Sequence, residues 1–417
     1  MSKPSENIRA RDLLGTHVVD YDEVVDVKRL REERLNRLQT QIHNHDLGGL
    51  ILFNPLNVRY AIGVRANEMF SLLFKIGYHV LVPREGTPIL FRSTGFEPPV
   101  IEGTIETRRM HTFEFWEAGD FTYAATLKWA KAIKEALKDK GIAKERIGMD
   151  AVDPSTLHAL EQQGIRITDA LKPMALSRAV KTIDEIALIR QACAVADVAC
   201  WEVKQALKPG ITENELFAVL SHANLKNNGE RIDCKLLAAG GNTFNWVKRT
   251  ATSRMIRPGD LLTFDTDLAG PLGYFGDQSR SYLCGNGKPN AEQLEAYKLA
   301  YDWLNKSIPV FQKGATFHEI AQNVPPVPDR YKTNRYPVLA HGAGMCDEWP
   351  AIYFPDVSDT GFGNYPGQLE ENMVICVESS FGCDGGREQV KLEEQLLITA
   401  NGPEVLTRGP YDWRFLD

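Results

Sequence analysis

The stretch LLTFDTDLAGPLGYFGDQSRSYL, residues 261–283, decides the fold of the C-terminal half of the chain. It predicts a strand, a Gly/Pro turn and a returning strand. Alternate side chains of a strand share a face, so we expect Asp265 and Asp267 to point the same way, with Asp277 opposite Asp267. Three carboxylates on one interior face would repel one another and resist ionisation. The stretch therefore predicts a bound cation.

Three further segments place metal-competent side chains at the ends of apolar strands. Glu378 ends the apolar run in NMVICVESSFG, and Glu393 or Glu394 interrupts the strand VKLEEQLLIT. His341 follows an apolar strand and enters the glycine-rich turn LAHGAG. Taken singly, each is explained as a turn residue, a solvated acid or a hydrogen-bonded core histidine. Together, five carboxylates and one imidazole suit two divalent ions bridged by carboxylates.

The composition of the chain bounds its class and excludes some partners. The 417 residues suit two or three domains, and 43% hydrophobic with 25% charged residues is typical of a globular protein. A net charge of −7 without a dense basic run argues against nucleic-acid and anionic-membrane partners. The polar N-terminus, the absence of a long apolar stretch and seven scattered cysteines predict a cytoplasmic protein.

The patterning divides the chain into two domains. Residues 1–175 predict an α/β domain preceded by an arm at 1–24, because short buried strands alternate with amphipathic helices such as the one at 128–141. Residues 176–417 predict an α+β catalytic domain.

Two capping boxes predict the helices that open the second domain. They pair Thr182 with Glu185, and Thr212 with Glu215. A later pair of helices is expected at 292–306 and 317–323.

These motifs resemble a known superfamily. The order strand-Asp, hairpin Asp, His-Gly-x-Gly, Glu, Glu is similar to that of the creatinase, prolidase and methionine-aminopeptidase proteins. The segments RAVKTIDEIALIRQA and NPLNVRYAIG resemble the same family and extend the likeness over nearly the whole chain. The resemblance implies a creatinase/prolidase-like α/β N-terminal domain and a pita-bread α+β catalytic domain.

The motifs depart from the peptidases of that superfamily. At the spacing typical of those peptidases, the partner of Asp277 would be Thr266 rather than Asp265 or Asp267. The segment HGAGMCDEWP carries Asp347 where a second histidine is usual, and no accessory histidine precedes the first metal strand. Since those histidines hold the substrate carbonyl and the tetrahedral intermediate, peptide hydrolysis is not favoured.

The altered pattern, with Tyr336 just before HGAGMCDEW, resembles the dimethylsulfoniopropionate lyases of marine bacteria, which cleave a sulfonium zwitterion to dimethyl sulfide and acrylate. The resemblance implies Asp347 as the catalytic base and Glu394 beside the ligands rather than on the ions. It also implies a homodimer and two divalent metal ions, with iron expected and manganese, cobalt or zinc as alternatives. The implied metal ligands are Asp265, Asp267, Asp277, His341, Glu378 and Glu393.

The small zwitterionic substrate needs an aromatic surface for its cationic end, as quaternary ammonium ligands do. Tyr336, Trp349 and Trp246 lie near the ligand segments in sequence and are the candidates, although each is individually also a candidate for core packing.

Two other functions compete with the lyase hypothesis. One is a hydrolase of the same fold acting as an Xaa-Pro dipeptidase or aminopeptidase, and the other is an inactive fold used as a binding module. The full set of six metal-competent residues argues against the second.

Overall fold

The computed structural model describes residues 25–65, 78–92, 105–109, 120–244, 250–358 and 365–416. The chain divides into two compact units, Val27–Arg178 and a second built mainly from Ala179–Asp417. The predicted arm at residues 1–24 lies outside the described residues. No helix in the described ranges is both long enough and apolar enough to cross a membrane.

The first unit is a mixed six-stranded sheet with helices. Its strand order is β4-β3-β2-β1-β5-β6, in which β1 runs parallel to β5 and antiparallel to β2. The elements are α1 (Val27–Asn44), β1 (Gly49–Leu52), α2 (Pro55–Ile62), β2 (Tyr78–Pro83), β3 (Ile89–Arg92), β4 (Glu106–Arg109), α3 (Asp120–Asp139), β5 (Arg146–Met149), α4 (Pro154–Gln162), β6 (Arg166–Asp169) and α5 (Leu171–Ala179).

Local chemistry explains where these elements begin. The apolar run at 48–55 forms a strand only as far as Leu52, because the Asn54 side chain accepts a hydrogen bond from the Leu56 amide and caps α2, with Pro55 in its first turn. Asp153 caps α4 in the same way, accepting from the amides of Ser155 and Thr156.

A neutral histidine lies in the core of this unit. The His79 ring is stacked between Phe53 and Phe91, each with a centroid separation of 4.9 Å, and its Nε2 accepts a hydrogen bond from the Trp129 indole N–H at 2.8 Å. Burial lowers the pKa of His79 to about 3. Because the charged form is excluded from the core, acid must weaken this unit.

His79 makes the stability of the first unit depend on pH. Its folded pKa lies below its unfolded value of about 6.5, so the unfolded state binds the proton and stability falls as the pH drops below about 6.5. Between pH 7 and pH 5 we expect the free energy of unfolding to fall by about 2 kcal/mol from this group.

Urea denaturation of the wild type and His79→Gln at both pH values measures this effect, since glutamine keeps an acceptor for the indole but binds no proton. His158→Gln, at an exposed position of the same unit, is the control and should keep the wild-type pH dependence. An equal acid-induced loss in His79→Gln and wild type would contradict the prediction.

The second unit combines antiparallel sheets with helices. Its strand orders are β12-β9-β8, β11-β10-β7 and β15-β14-β16-β17-β18, with β13 pairing β16. The elements are α6 (Ile183–Ala206), α7 (Glu213–Lys226), β7 (Arg231–Ile232), β8 (Leu237–Ala239), β9 (Leu261–Asp265), β10 (Leu268–Ala269), β11 (Phe275–Gly276), β12 (Ser279–Leu283), α8 (Ala291–Ser307), α9 (Phe317–Asn323), α10 (Asp329–Lys332), β13 (Asn334–Arg335), β14 (Val338–Ala343), β15 (Asp347–Tyr353), α11 (Pro355–Ser358), β16 (Val374–Gly382), β17 (Gln389–Thr399) and β18 (Gly402–Val405).

Both predicted capping boxes are confirmed. The side chains of Thr182 and Thr212 each accept from the backbone amide three residues on, and Glu185 and Glu215 reach back to the cap amides. The α8 and α9 helices also lie where they were predicted, at 291–307 and 317–323.

The hairpin that carries Asp277 packs tightly on α6. A Cβ atom added to Gly276 would lie 2.3 Å from the carbonyl oxygen of Ala192, so only glycine permits this approach. The position of Asp277 is therefore fixed against the helix backbone.

Strand register brings the acids of the large sheet together. Glu378 on β16 pairs directly with Glu393 on β17, and His341 on β14 pairs with Cys376 on β16. Directly opposed residues of antiparallel strands share a face, and Cys376 lies two residues before Glu378. All four side chains therefore point to one side of the sheet.

Candidate metal centre

The structure brings the six predicted ligands together in the second unit. One group of ligand atoms within 4.8 Å of one another contains Asp265, Asp267 and Asp277, and a second contains Asp277, His341, Cys376 and Glu393. The Glu378 Oε1 atom lies 3.1 Å from the Nε2 atom of His341. Asp277 belongs to both groups, so its carboxylate is the one that the two groups share.

The geometry of the first two aspartates differs from the prediction. They were expected on one face of a continuous strand, but β9 ends at Asp265, and Asp267 has a φ of 38° in the left-handed region. The Thr266 hydroxyl donates to the Gly276 carbonyl at 2.9 Å and accepts from the Gln278 amide at 3.0 Å. The Thr266 backbone amide also donates to the Gln278 carbonyl at 3.2 Å, so the two strands stay connected at Thr266. The turn that follows, rather than strand alternation, therefore aims Asp267 into the cluster.

Lys391 is a buried cation inside the carboxylate cluster, and the sequence interpretation did not identify it. Its Nζ atom lies 2.6 Å from Asp265, 2.7 Å from Glu378 and 2.8 Å from Glu393, and its side chain is 2% exposed. Although burial opposes the change, this ammonium lowers the pKa of Asp265. Lys391 thus holds one carboxylate oxygen of each of three candidate ligands, Asp265, Glu378 and Glu393.

The remaining charge of the cluster fits two divalent cations. With all five carboxylates ionised and His341 neutral, as metal ligands are, the ammonium of Lys391 leaves four negative charges, which two divalent ions would neutralise. Among the described residues, three buried carboxylate oxygens have neither a hydrogen-bond partner nor a contact with Lys391: Asp267 Oδ2, Asp277 Oδ1 and Glu393 Oε1. Burial and the neighbouring carboxylates raise the pKa values of Asp267 and Asp277 well above the aspartic acid range, and that of Glu393 to about 8. Oxygen donors in this condition suit a metal ion.

The ring of His341 directs its Nε2 atom towards the carboxylates of the cluster. Its Nδ1 lies 3.0 Å from the Gly342 carbonyl oxygen, which accepts when that nitrogen carries the proton. Nε2 then faces Asp277 at 3.9 Å, Glu393 at 3.8 Å and Glu378. Burial opposes protonation, but Asp347 and the neighbouring glutamates raise the pKa of His341 to about 10. The imidazole therefore sits in a strongly negative field that favours a cation.

Asp347 lies at the open side of the cluster. Its Oδ1 is 3.8 Å from His341 Nδ1, and its side chain is 59% exposed, whereas that of His341 is 9% exposed. Partial desolvation raises the pKa of Asp347, although the nearby imidazole opposes the shift. A carboxylate that borders both solvent and the cluster can reach a substrate entering from solvent.

The three aromatic candidates have different surroundings. Tyr336 is half-buried with its ring centroid 5.9 Å from Lys391 Nζ, and burial raises its phenol pKa, so the ring stays neutral. The Trp349 ring packs against Phe317 at 5.4 Å and Tyr365 at 6.5 Å. Trp246 lies outside the described residues. Tyr336 thus lies beside the lysine of the cluster, and the binding roles of all three aromatic residues stay predictions.

Glu394 faces away from the cluster. It follows Glu393 on β17, and its Oε1 accepts from the Arg280 guanidinium at 2.8 Å and from the Tyr411 hydroxyl. Thr407 also donates to it. These partners lie on the face of β17 opposite to Glu393, so the predicted place of Glu394 beside the ligands stays a prediction.

Two family models cover most of the chain. The model for the creatinase/prolidase N-terminal domain matches residues 34–183, and the model for metallopeptidase family M24 matches residues 187–400. The chain belongs to metallopeptidase family M24. The predicted fold class, an α/β N-terminal domain and a pita-bread catalytic domain, is confirmed.

Within the M24 family, the chain is similar to two lyases over nearly its full length. It is 33% identical to the dimethylsulfoniopropionate lyase DddP of Roseovarius nubinhibens, over 93% of this chain and 87% of that protein. The corresponding lyase of Roseobacter denitrificans is 31% identical over the same shares. The predicted resemblance to this group is confirmed. An Xaa-Pro dipeptidase from Bacillus anthracis has the same fold, with a TM-score of 0.71 and 19% identity over 92% of this chain and 99% of that one.

Proposed function

We propose that this M24 protein is a metal-dependent carbon–sulfur lyase that cleaves dimethylsulfoniopropionate to dimethyl sulfide and acrylate. The observation that carries the proposal is the likeness to two such lyases over 93% of the chain. The position of Asp347 supports it, because a carboxylate beside His341 replaces the second histidine usual in the peptidases.

The reaction needs one proton acceptor and a way to stabilise negative charge. Asp347 removes the proton from the carbon next to the substrate carboxylate. The electron pair of that C–H bond forms the carbon–carbon double bond, and the pair of the C–S bond leaves with sulfur as dimethyl sulfide. Asp347 keeps the proton until it exchanges with solvent, to which its side chain is open.

The ligand set proposed for two cations is Asp265, Asp267, Asp277, His341, Glu378 and Glu393. Bound there, the ions would supply the positive charge that stabilises the enediolate-like charge on the substrate carboxylate. Iron is the proposed metal, as the resemblance to the lyases implies; carboxylates with one imidazole also accept manganese, cobalt or zinc, which are the alternatives. The Lys391 ammonium holds one carboxylate oxygen of each of Asp265, Glu378 and Glu393. Tyr336, Trp349 and Trp246 are proposed to receive the sulfonium group.

The histidine content argues against the alternative, an Xaa-Pro dipeptidase. After residue 180 the sequence contains only His222, His318 and His341. His222 and His318 are exposed on α7 and α9, and neither belongs to the ligand groups. Within the part of the chain that the structure describes, the cluster therefore has a single imidazole, whereas peptide hydrolysis in this fold uses accessory histidines.

The cellular setting is proposed from indirect observations. All seven cysteines are free thiols, which suits the reducing cytoplasm. We also propose a homodimer, as the superfamily resemblance implies; sedimentation of the purified protein tests it.

A headspace assay tests the proposed function. Purified metal-replete protein with dimethylsulfoniopropionate should release dimethyl sulfide, and a chelator should abolish the release because the ligand carboxylates then lack their cations. Xaa-Pro dipeptides form the second arm of the assay. Dipeptide hydrolysis without dimethyl sulfide release would overturn the lyase proposal in favour of the peptidase, and release insensitive to chelator would overturn the metal's role.

A further inference from the structure

A buried ion pair lies behind the turn that carries Asp347. The Lys181 Nζ atom is 2.9 Å from Glu348 Oε2, and the two side chains are 1% and 4% exposed. The other oxygen of Glu348, Oε1, accepts a hydrogen bond from the Met345 backbone amide at 2.9 Å. One glutamate therefore holds both the turn and a buried lysine.

Asp347 and Glu348 begin β15 and point in opposite directions. Consecutive side chains of a strand alternate between faces, so Asp347 faces the cluster while Glu348 faces Lys181. Their pairing partners on β14 are Ala343 and Gly342. Any movement of Glu348 along this strand would move the Asp347 carboxylate with it.

The turn is packed closely around the glutamate. A Cβ atom on Gly344 would lie 2.3 Å from Glu348 Oε1, so the backbone passes directly over the carboxylate. The Gly344 amide also donates to the Cys346 carbonyl at 3.1 Å. This leaves the turn little room to adopt another arrangement around the ion pair.

Lys181 is itself anchored to the framework of the site. Its backbone amide donates to the Asn372 carbonyl at 2.9 Å, and Val180 forms a bridge with Met373 immediately before β16. Its Nζ also donates to the Ala179 carbonyl at 3.3 Å. The ion pair thus connects the Asp347 turn to the start of the strand that carries Glu378.

We propose that Lys181 and Glu348 are positioning residues that hold Asp347 at the distance required for proton removal. The inference rests on the proposed function, in which Asp347 is the base. Neither residue faces the cluster, so both act through the backbone of the turn. Breaking a buried pair leaves an uncompensated charge, and the turn must shift to solvate it.

Glu348→Gln is the central variant, because glutamine keeps the shape and an acceptor for the Met345 amide but removes the charge. We expect kcat to fall by roughly 100-fold, the effect of displacing a reacting group by about 1 Å, with KM and metal content close to wild type. The deuterium isotope effect on kcat, measured with substrate deuterated next to its carboxylate, should rise because proton removal becomes slower. Glu404→Gln breaks a half-exposed pair with Arg190 in the same unit and is the matched control, expected to keep wild-type kinetics.

Lys181→Arg is the conservative variant and should keep most of the activity, since it preserves the charge. If Glu348→Gln does not fold, the kinetics of Lys181→Arg, compared with those of Lys181→Met, test the proposal instead. Loss of activity in Lys181→Arg equal to that in Lys181→Met would overturn the proposal, and so would a lowered kcat with an unchanged isotope effect.

A second measurement does not depend on catalysis. The Cys346 thiol is half-buried and donates to the Asp347 carbonyl at 3.1 Å, so its alkylation by iodoacetamide reports on the turn. Mass spectrometry should show faster labelling of Cys346 in Glu348→Gln, with labelling of half-buried Cys383 unchanged. Unchanged Cys346 labelling would overturn the positioning role. If wild-type protein releases no dimethyl sulfide, the proposed function fails while this labelling still decides the role of the ion pair.

Discussion

Asp277→Asn is expected to weaken metal binding by roughly 100-fold or more, because Asp277 belongs to both groups of ligand atoms. Asparagine keeps the shape of the side chain and removes its charge. At a metal concentration well above the wild-type Kd, a 100-fold loss of affinity removes about 2.7 kcal/mol of metal-dependent stabilisation. Calorimetric titration and thermal unfolding with added metal measure both effects, and lyase activity should be lost with the metal.

Whether Asp277→Asn stabilises or destabilises the fold should depend on whether metal is bound. Burial and the neighbouring acids raise the pKa of Asp277 above its unfolded value, so its contribution to stability is lost as the pH rises from the unfolded pKa towards the folded one. With chelator at pH 7, Asp277→Asn should therefore unfold at the same temperature as wild type or a higher one.

Asp302→Asn, whose side chain is 63% exposed on α8, is the control and should match wild type in both conditions. Equal destabilisation of Asp277→Asn with metal and with chelator would show that Asp277 is a structural residue rather than a ligand.

The sequence predicts those parts of the site in which a residue departs from the regular hydrophobic pattern of its own segment. An acid that directly follows an apolar run, such as Glu378 in the middle of β16, stands out because alternation in a buried strand has no place for an unpaired charge. The capping boxes at Thr182 and Thr212 are equally local, since cap and partner are three residues apart. A residue whose role is recognisable within one short segment can therefore be assigned without a structure.

Lys391 shows what the sequence could not reveal. Lys391 lies between Val390 and Leu392, and this alternation of apolar and polar residues is typical of an ordinary strand with one polar face. No neighbouring residue in the sequence indicates that the polar face is buried. Its partners Asp265 and Glu378 come from other strands, so the contact exists only after the sheets are assembled. The left-handed conformation of Asp267 has the same origin, because the Thr266 bonds that impose it join two strands.

The second large effect is expected from Asp347→Asn. Removing a general base lowers kcat by roughly 1,000-fold, the middle of the range for such groups. Metal content and thermal unfolding should stay near wild type, because the Asp347 side chain is 59% exposed and its Oδ1 lies 3.8 Å from the Nδ1 atom of His341, longer than a hydrogen bond. Steady-state kinetics, metal analysis and thermal unfolding on the same preparation separate these outcomes. Asp329→Asn, with a side chain 93% exposed on α10, is the matched control.

The pH dependence of kcat/KM is a second test of the assignment of Asp347 as the base. Partial desolvation raises the folded pKa of Asp347, so the ionised base accumulates, and kcat/KM rises, only as the pH climbs through a value above that of free aspartic acid. The residual activity of Asp347→Asn should lack that acidic limb. Were Asp347→Asn to lose metal as Asp277→Asn does, Asp347 would be a ligand. A retained acidic limb with wild-type kcat would place the base on another residue, and Asp347 would then serve only to attract the sulfonium group.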